Sequence, residues 1–208
     1  MTEGGAGVVA LLRKLTIWRV GWGWFAVALL LAPSICVTPA YLSMFFGAPN
    51  PTAALFATLP TMLMMFAIRL VNPLDRPMQE ELGWRGFALP RLQLRHSPLA
   101  ASAILGLLVV VWHLPLVLLD MLPAYALFGT FAFTIVFGWL FNNTGGSVLM
   151  TLIVHAADGL VITGNLGLNE IDSERHIVIL VAMWCVVALL VVLLTGPSLM
   201  RRPLAPDA

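Results

Sequence analysis

The residues best placed to do chemistry are Glu80, Glu81 and Arg85, followed along the chain by His113, His155 and Asp158. Two adjacent carboxylates and an arginine stand in Gln79-Glu80-Glu81-Leu82-Gly83-Trp84-Arg85-Gly86-Phe87, between strongly apolar segments. On a helix, Glu81 and Arg85 are i,i+4 neighbours and share a face. Glu80 points about 100° away from Glu81 and is left free for other work. Ser97-Pro98 reads as a tight turn, with Glu80 17 residues before Ser97 and His113 16 residues after it. Antiparallel helices about that turn bring Glu80 and His113 to one depth. His155, near the middle of a later apolar segment, can reach the same level. A carboxylate with two imidazoles suits water activation. The carboxylate takes a proton as general base, and the histidines hold a developing oxyanion or a metal. A divalent ion such as zinc held by His113, His155 and Glu80 is one form of that site; a site built from side chains alone is the other. Asp158, three residues after His155, is positioned to orient that ring.

The rest of the chain is a scaffold for a membrane. Of 208 residues, 60% are hydrophobic and only 10% charged, against roughly 25% charged in soluble domains. The fold class expected is all-α, a polytopic transmembrane bundle of about six to seven helices with a buried polar cavity. It should form a single integral membrane domain over residues 1–208, multi-pass, in a cell's inner or plasma membrane. Net charge of +1 and the absence of a basic patch give no footing for nucleic acid. Cys36 and Cys185 form no CxxC and read as packing residues. Ionisable groups at membrane depth are costly, which directs attention back to the Glu-Glu-Arg cluster.

The spans expected are about 17–38, 52–71, 99–119, 124–141, 147–163 and 177–194, with the motif segment 76–95 as a seventh. Trp18, Trp22 and Trp24 suit an aromatic belt. Asn72-Pro73 ends the second span, and Pro90 should kink the motif helix. Residues 164–175 read as a polar loop, and His96 and His176, beside charges, as interfacial. Arg13, Lys14 and Arg19 favour a cytoplasmic N-terminus. Arg91, Arg95 and Arg201-Arg202 obey the positive-inside rule only if the motif helix dips in and returns.

Glu80-Glu81-x-x-x-Arg85-Gly86, with His113 and His155 in order and the Asn142 to Ser147 turn before the second, resembles the CPBP family. That family includes type II CAAX prenyl endopeptidases and bacterial proteins linked to bacteriocin processing and self-immunity. The resemblance covers about residues 75–163. It implies a helical membrane bundle, water activated by Glu80 and placed by His113, and His155 as an oxyanion or water partner. Glu81 and Arg85 are further members of the motif. It leaves metalloprotease and glutamate-protease chemistry both open. Val109 stands where the family often has Phe, and Gly159 where it often has Asn. The function expected is an intramembrane endopeptidase acting on a membrane-associated peptide or lipidated protein, with membrane lipids as its other partners. The alternative is a catalytically silent relative serving as an immunity or scaffold factor.

Overall fold

The structure is a computed structural model, and it describes residues 4–160, 166 and 168–200. The described residues are helical and contain no strand. Helix α1 (Gly4–Arg13) is short and precedes α2 (Trp22–Ser43); α3 is Thr52–Val71. The motif segment comes in three continuous pieces: α4 (Arg76–Glu81), a π-helical stretch Leu82–Ala88, and α5 (Leu89–Leu92). Then follow α6 (Pro98–Leu118), α7 (Ala126–Asn143), α8 (Val148–Ala157) and α9 (Glu170–Thr195). Among the described residues, five helical segments are long and apolar enough to cross a bilayer, and the protein is an integral membrane protein.

The local chemistry explains the boundaries. Ser97 Oγ accepts from the Ala100 amide and Pro98 fills the first turn, so α6 starts at Pro98. Ser147 caps α8 in the same way. Asn169 Oδ1 accepts from the Asp172 amide at 2.8 Å and starts α9. The polar loop expected to run to Arg175 therefore ends at Asn169. The polar residues Glu170 and Asp172 are first-turn acids that complement the helix dipole. His176 lies within α9 and is 1% exposed, a correction to its interfacial reading. Residues 161–165, within the span and loop read from sequence, and Arg201-Arg202 lie outside the described residues.

The main departure from expectation is α8. Its ten residues rise only about 15 Å, too short to cross a bilayer. It is a central pillar instead, every residue but Leu149 buried, enclosed by α2, α3, α7 and the motif segment. Asp158, with an extended backbone, and Gly159, at φ +72°, stop it before the expected end. Ala28, Ala32 and Ile35 of α2, Val136, Phe137 and Leu140 of α7, and Trp184 and Ala188 of α9 form the core around Met150 and Val154. Helices α6 and α7 approach closely, since a β-carbon on Gly138 would collide with the Ser102 side chain.

Candidate active site

Pro90 has no amide hydrogen, so in a regular helix the Gly86 carbonyl would lack its donor. Here the chain widens into the π-helical stretch Leu82–Ala88, and Lys14 Nζ donates to the Gly86 oxygen at 2.5 Å. The kink expected at Pro90 thus takes the form of a π stretch, a common accommodation at functional sites. Glu81 is its N-terminal flanking residue and Arg85 lies within it.

The Glu81–Arg85 pair forms as their spacing suggests. Arg85 Nη1 donates to Glu81 Oε1 at 2.9 Å, with the two residues 1% and 0% exposed. Arg85 Cζ lies over the Phe137 ring, 4.7 Å from its centre, and over the Phe133 ring, 5.8 Å from its centre. This is a cation–π arrangement inside the bundle. Both phenylalanines also meet the His155 ring at a steep angle, with centres 5.5 Å and 6.1 Å away. Sequence reasoning passed over them, although their i,i+4 placement on α7 already put both on one face.

His155 joins the acidic pair. Its Nδ1 lies 2.8 Å from Glu81 Oε1 and its Nε2 lies 4.0 Å from Glu80 Oε2. A carboxylate paired to arginine accepts hydrogen bonds, so the proton on Nδ1 points at Glu81 and Nε2 faces Glu80. Glu81 thereby fixes the ring's orientation. The Asp158 carboxylate, expected to serve that ring, accepts instead from Cys36 Sγ at 3.6 Å. Glu80 is the less buried carboxylate, 13% exposed at its side chain.

His113 stands on α6, where Nδ1 donates to the Val109 carbonyl at 2.8 Å and Nε2 is left as its acceptor. Trp84 and Trp112 meet edge to face at 6.3 Å, and Leu89 shares a buried cluster with Leu105. The motif segment and α6 therefore run antiparallel about Ser97-Pro98. Glu80, Arg85, His113, His155 and Asp158 all line one cavity of about 320 Å³, closed on the far side by α7 and α9. Glu81 stands behind it, buried.

Among the described residues, no group of three His, Cys, Asp or Glu side chains is arranged to hold a metal ion. Nδ1 of His155 and of His113 are committed to Glu81 and Val109. That leaves Nε2 of each ring to a ligand, but Glu80, His113 and His155 are not gathered into a group that could hold a divalent ion such as zinc.

The family model described as type II CAAX prenyl endopeptidase Rce1-like matches residues 58–161, half of the chain. The chain belongs to the Rce1-like family. The match takes in most of α3 and nearly all of the stretch 75–163 that carries the motifs, including Glu80, Arg85, His113, His155 and Asp158. A similar protein is CAAX prenyl protease 2 of Methanococcus maripaludis, 30% identical over 88 residues. Those residues are 36% of this chain and 32% of that protein, so the chain matches about a third of the relative's length.

One more cation belongs to this region. Arg69 is the only charged residue of α3. Its Nη1 donates to the Asp158 carbonyl at 2.6 Å and to the Ala156 carbonyl at 3.1 Å. Sequence reasoning passed over it, because its partners are backbone carbonyls 87 and 89 residues away.

Proposed function

We propose that this protein is an intramembrane endopeptidase of the CAAX-processing kind. It hydrolyses a peptide bond in a prenylated or otherwise lipidated peptide that reaches the cavity from the membrane. The observation that carries the reading is His155 held between two carboxylates of unlike role. Glu81, paired to Arg85, holds Nδ1; Glu80 faces Nε2 across 4.0 Å. A water molecule about 2.8 Å from both acceptors would subtend an angle of about 90° between them. It could donate one hydrogen to each and turn a lone pair toward a substrate carbonyl.

Glu80 is the general base. It takes one proton of the water as the oxygen bonds to the carbonyl carbon. The C–N bond then breaks, and the proton passes from Glu80 to the departing amine, leaving a carboxylic acid and an amine. His155 holds the water and, through Glu81, keeps one tautomer. His113, with Nε2 available on the same cavity, is the second group to position water or substrate. Arg85 neutralises Glu81, so that Glu80 need not share its site with a second uncompensated negative charge.

The test is Glu80→Gln, which keeps shape but cannot accept the proton. With purified protein and a quenched-fluorescent peptide ending in an S-farnesylated CAAX box, the variant should cleave at least about a hundredfold more slowly. Its thermal unfolding should match wild type. Undiminished cleavage would remove Glu80 from the chemistry. A cellular immunity or processing phenotype that survives Glu80→Gln at full strength would favour the silent, scaffolding relative.

A further inference from the structure

The site's two halves come from separate elements: Glu80 from α4 and His155 from α8. Neither helix holds the other through backbone hydrogen bonding, so the 4.0 Å separation must be set by side chains. Helix α8 ends at Ala157; the Asp158 amide bonds the Val154 carbonyl and the Leu160 amide the Ala157 carbonyl, which leaves other carbonyls at this end to a side chain. Arg69 reaches in from α3 and supplies Nη1 to two of these, Ala156 and Asp158, bracketing the turn that follows His155. A cation at this end also complements the helix dipole. Gly159 stands where the family pattern often has asparagine; its φ of +72° suits glycine, and a β-carbon there would meet Nη1 at an ordinary 3.7 Å.

The same guanidinium faces the other half. Arg69 Nε lies 3.7 Å from Asp75 Oδ2. The other oxygen of that carboxylate, Oδ1, accepts from the Arg76 amide at 2.8 Å and starts α4. Glu80 follows five residues later on this helix. One side chain, 11% exposed, thus ties the end of the His155 helix to the cap of the Glu80 helix. It lines a second cavity, about 520 Å³, with Asp75, Arg76 and Gly159.

We propose that Arg69 is a positioning residue, bridging the α8 terminus and the Asp75 cap so as to set the distance between His155 and Glu80. It touches neither reacting group and acts through the two helices. Arginine from a third helix holds both partners at once. The kinetic part of this inference rests on the protease reading, whereas the bridge itself does not.

The experiment has two arms on full-length protein in detergent: Arg69→Gln, Arg69→Lys, Asp75→Asn and the Arg69→Gln/Asp75→Asn double variant. In the first arm, amide exchange is read by mass spectrometry. Arg69→Gln should speed exchange about tenfold in residues 154–158 and also in the first turn of α4. Asp75→Asn should speed exchange at 154–158 as well, although Asp75 makes its contacts to Arg69 and the start of α4, and the double variant should be little worse than either single. If Asp75→Asn leaves 154–158 at the wild-type rate, Arg69 is a local cap and the bridge is refuted. In the second arm, cleavage of the farnesylated reporter should fall about 10- to 100-fold in kcat for Arg69→Gln, with KM unchanged. Arg69→Lys, with charge but no fork, should recover part of that loss. Wild-type kcat in Arg69→Gln would overturn the positioning role. Failure of wild type to cleave the reporter would count against the protease reading, and the exchange arm would still decide the bridge. If Arg69→Gln does not fold, Asp75→Asn and Arg69→Lys carry the same comparison.

Discussion

Replacing Arg85 by methionine tests whether the buried acidic pair is held by charge balance or merely by packing. Methionine roughly fills the volume and keeps contact with Phe133 and Phe137. Glu81 is 0% exposed, and its Oε1 would lose the 2.9 Å donor while keeping the His155 ring at 2.8 Å. Removing one partner of a buried ion pair costs about 3–5 kcal/mol, because the other charge stays behind in a low dielectric. For a chain of this size, each kcal/mol moves the melting temperature by about 2–4 °C, so the drop should be at least about 6 °C. Accumulation in the membrane should fall with it. The informative partner is Glu81→Gln in the same background. Removing both charges discards the desolvation penalty together with the attraction, so the double variant should be more stable than Arg85→Met alone. Thermal unfolding in detergent, followed by fluorescence size exclusion, reads all three proteins. An Arg85→Met variant that melts with wild type, or a double variant less stable than the single, would refute the claim that Glu81 is a buried anion held by Arg85.

Two further outcomes follow from the site. Glu81→Gln and His155→Ala should each depress kcat on the farnesylated reporter, and combining them should add little, because the carboxylate acts through the ring; losses that multiply would separate the two residues. Lys14→Met removes the donor to the Gly86 carbonyl, leaving a partly buried acceptor beside Pro90, and should cost about 1–3 kcal/mol. An unchanged melting temperature would mean that the π-helical stretch satisfies that carbonyl unaided.

What the sequence alone determined was local or compositional. A charged fraction of 10% and apolar runs of about 20 residues call for helices that satisfy their own backbone polar groups, and α3 and α6 fall within a residue of the spans read from apolar runs and turn residues. The Glu81–Arg85 pair follows from helical spacing, and the antiparallel approach of His113 to the motif segment from a turn midway between them. The sequence did not reveal the length of α8, because apolar residues continue past Ala157 and hydropathy does not distinguish a lipid-facing span from a pillar enclosed by other helices. Nor did it select the partner of His155. Asp158 was near in sequence, but Glu81, 74 residues away, holds the ring. Arg69 and Lys14 were likewise ordinary charges in one dimension. Their partners are backbone carbonyls 72 to 89 residues away, freed by a helix end in one case and associated with a proline in the other. A carbonyl carries no residue-specific mark, so only the tertiary packing decides which cation meets it.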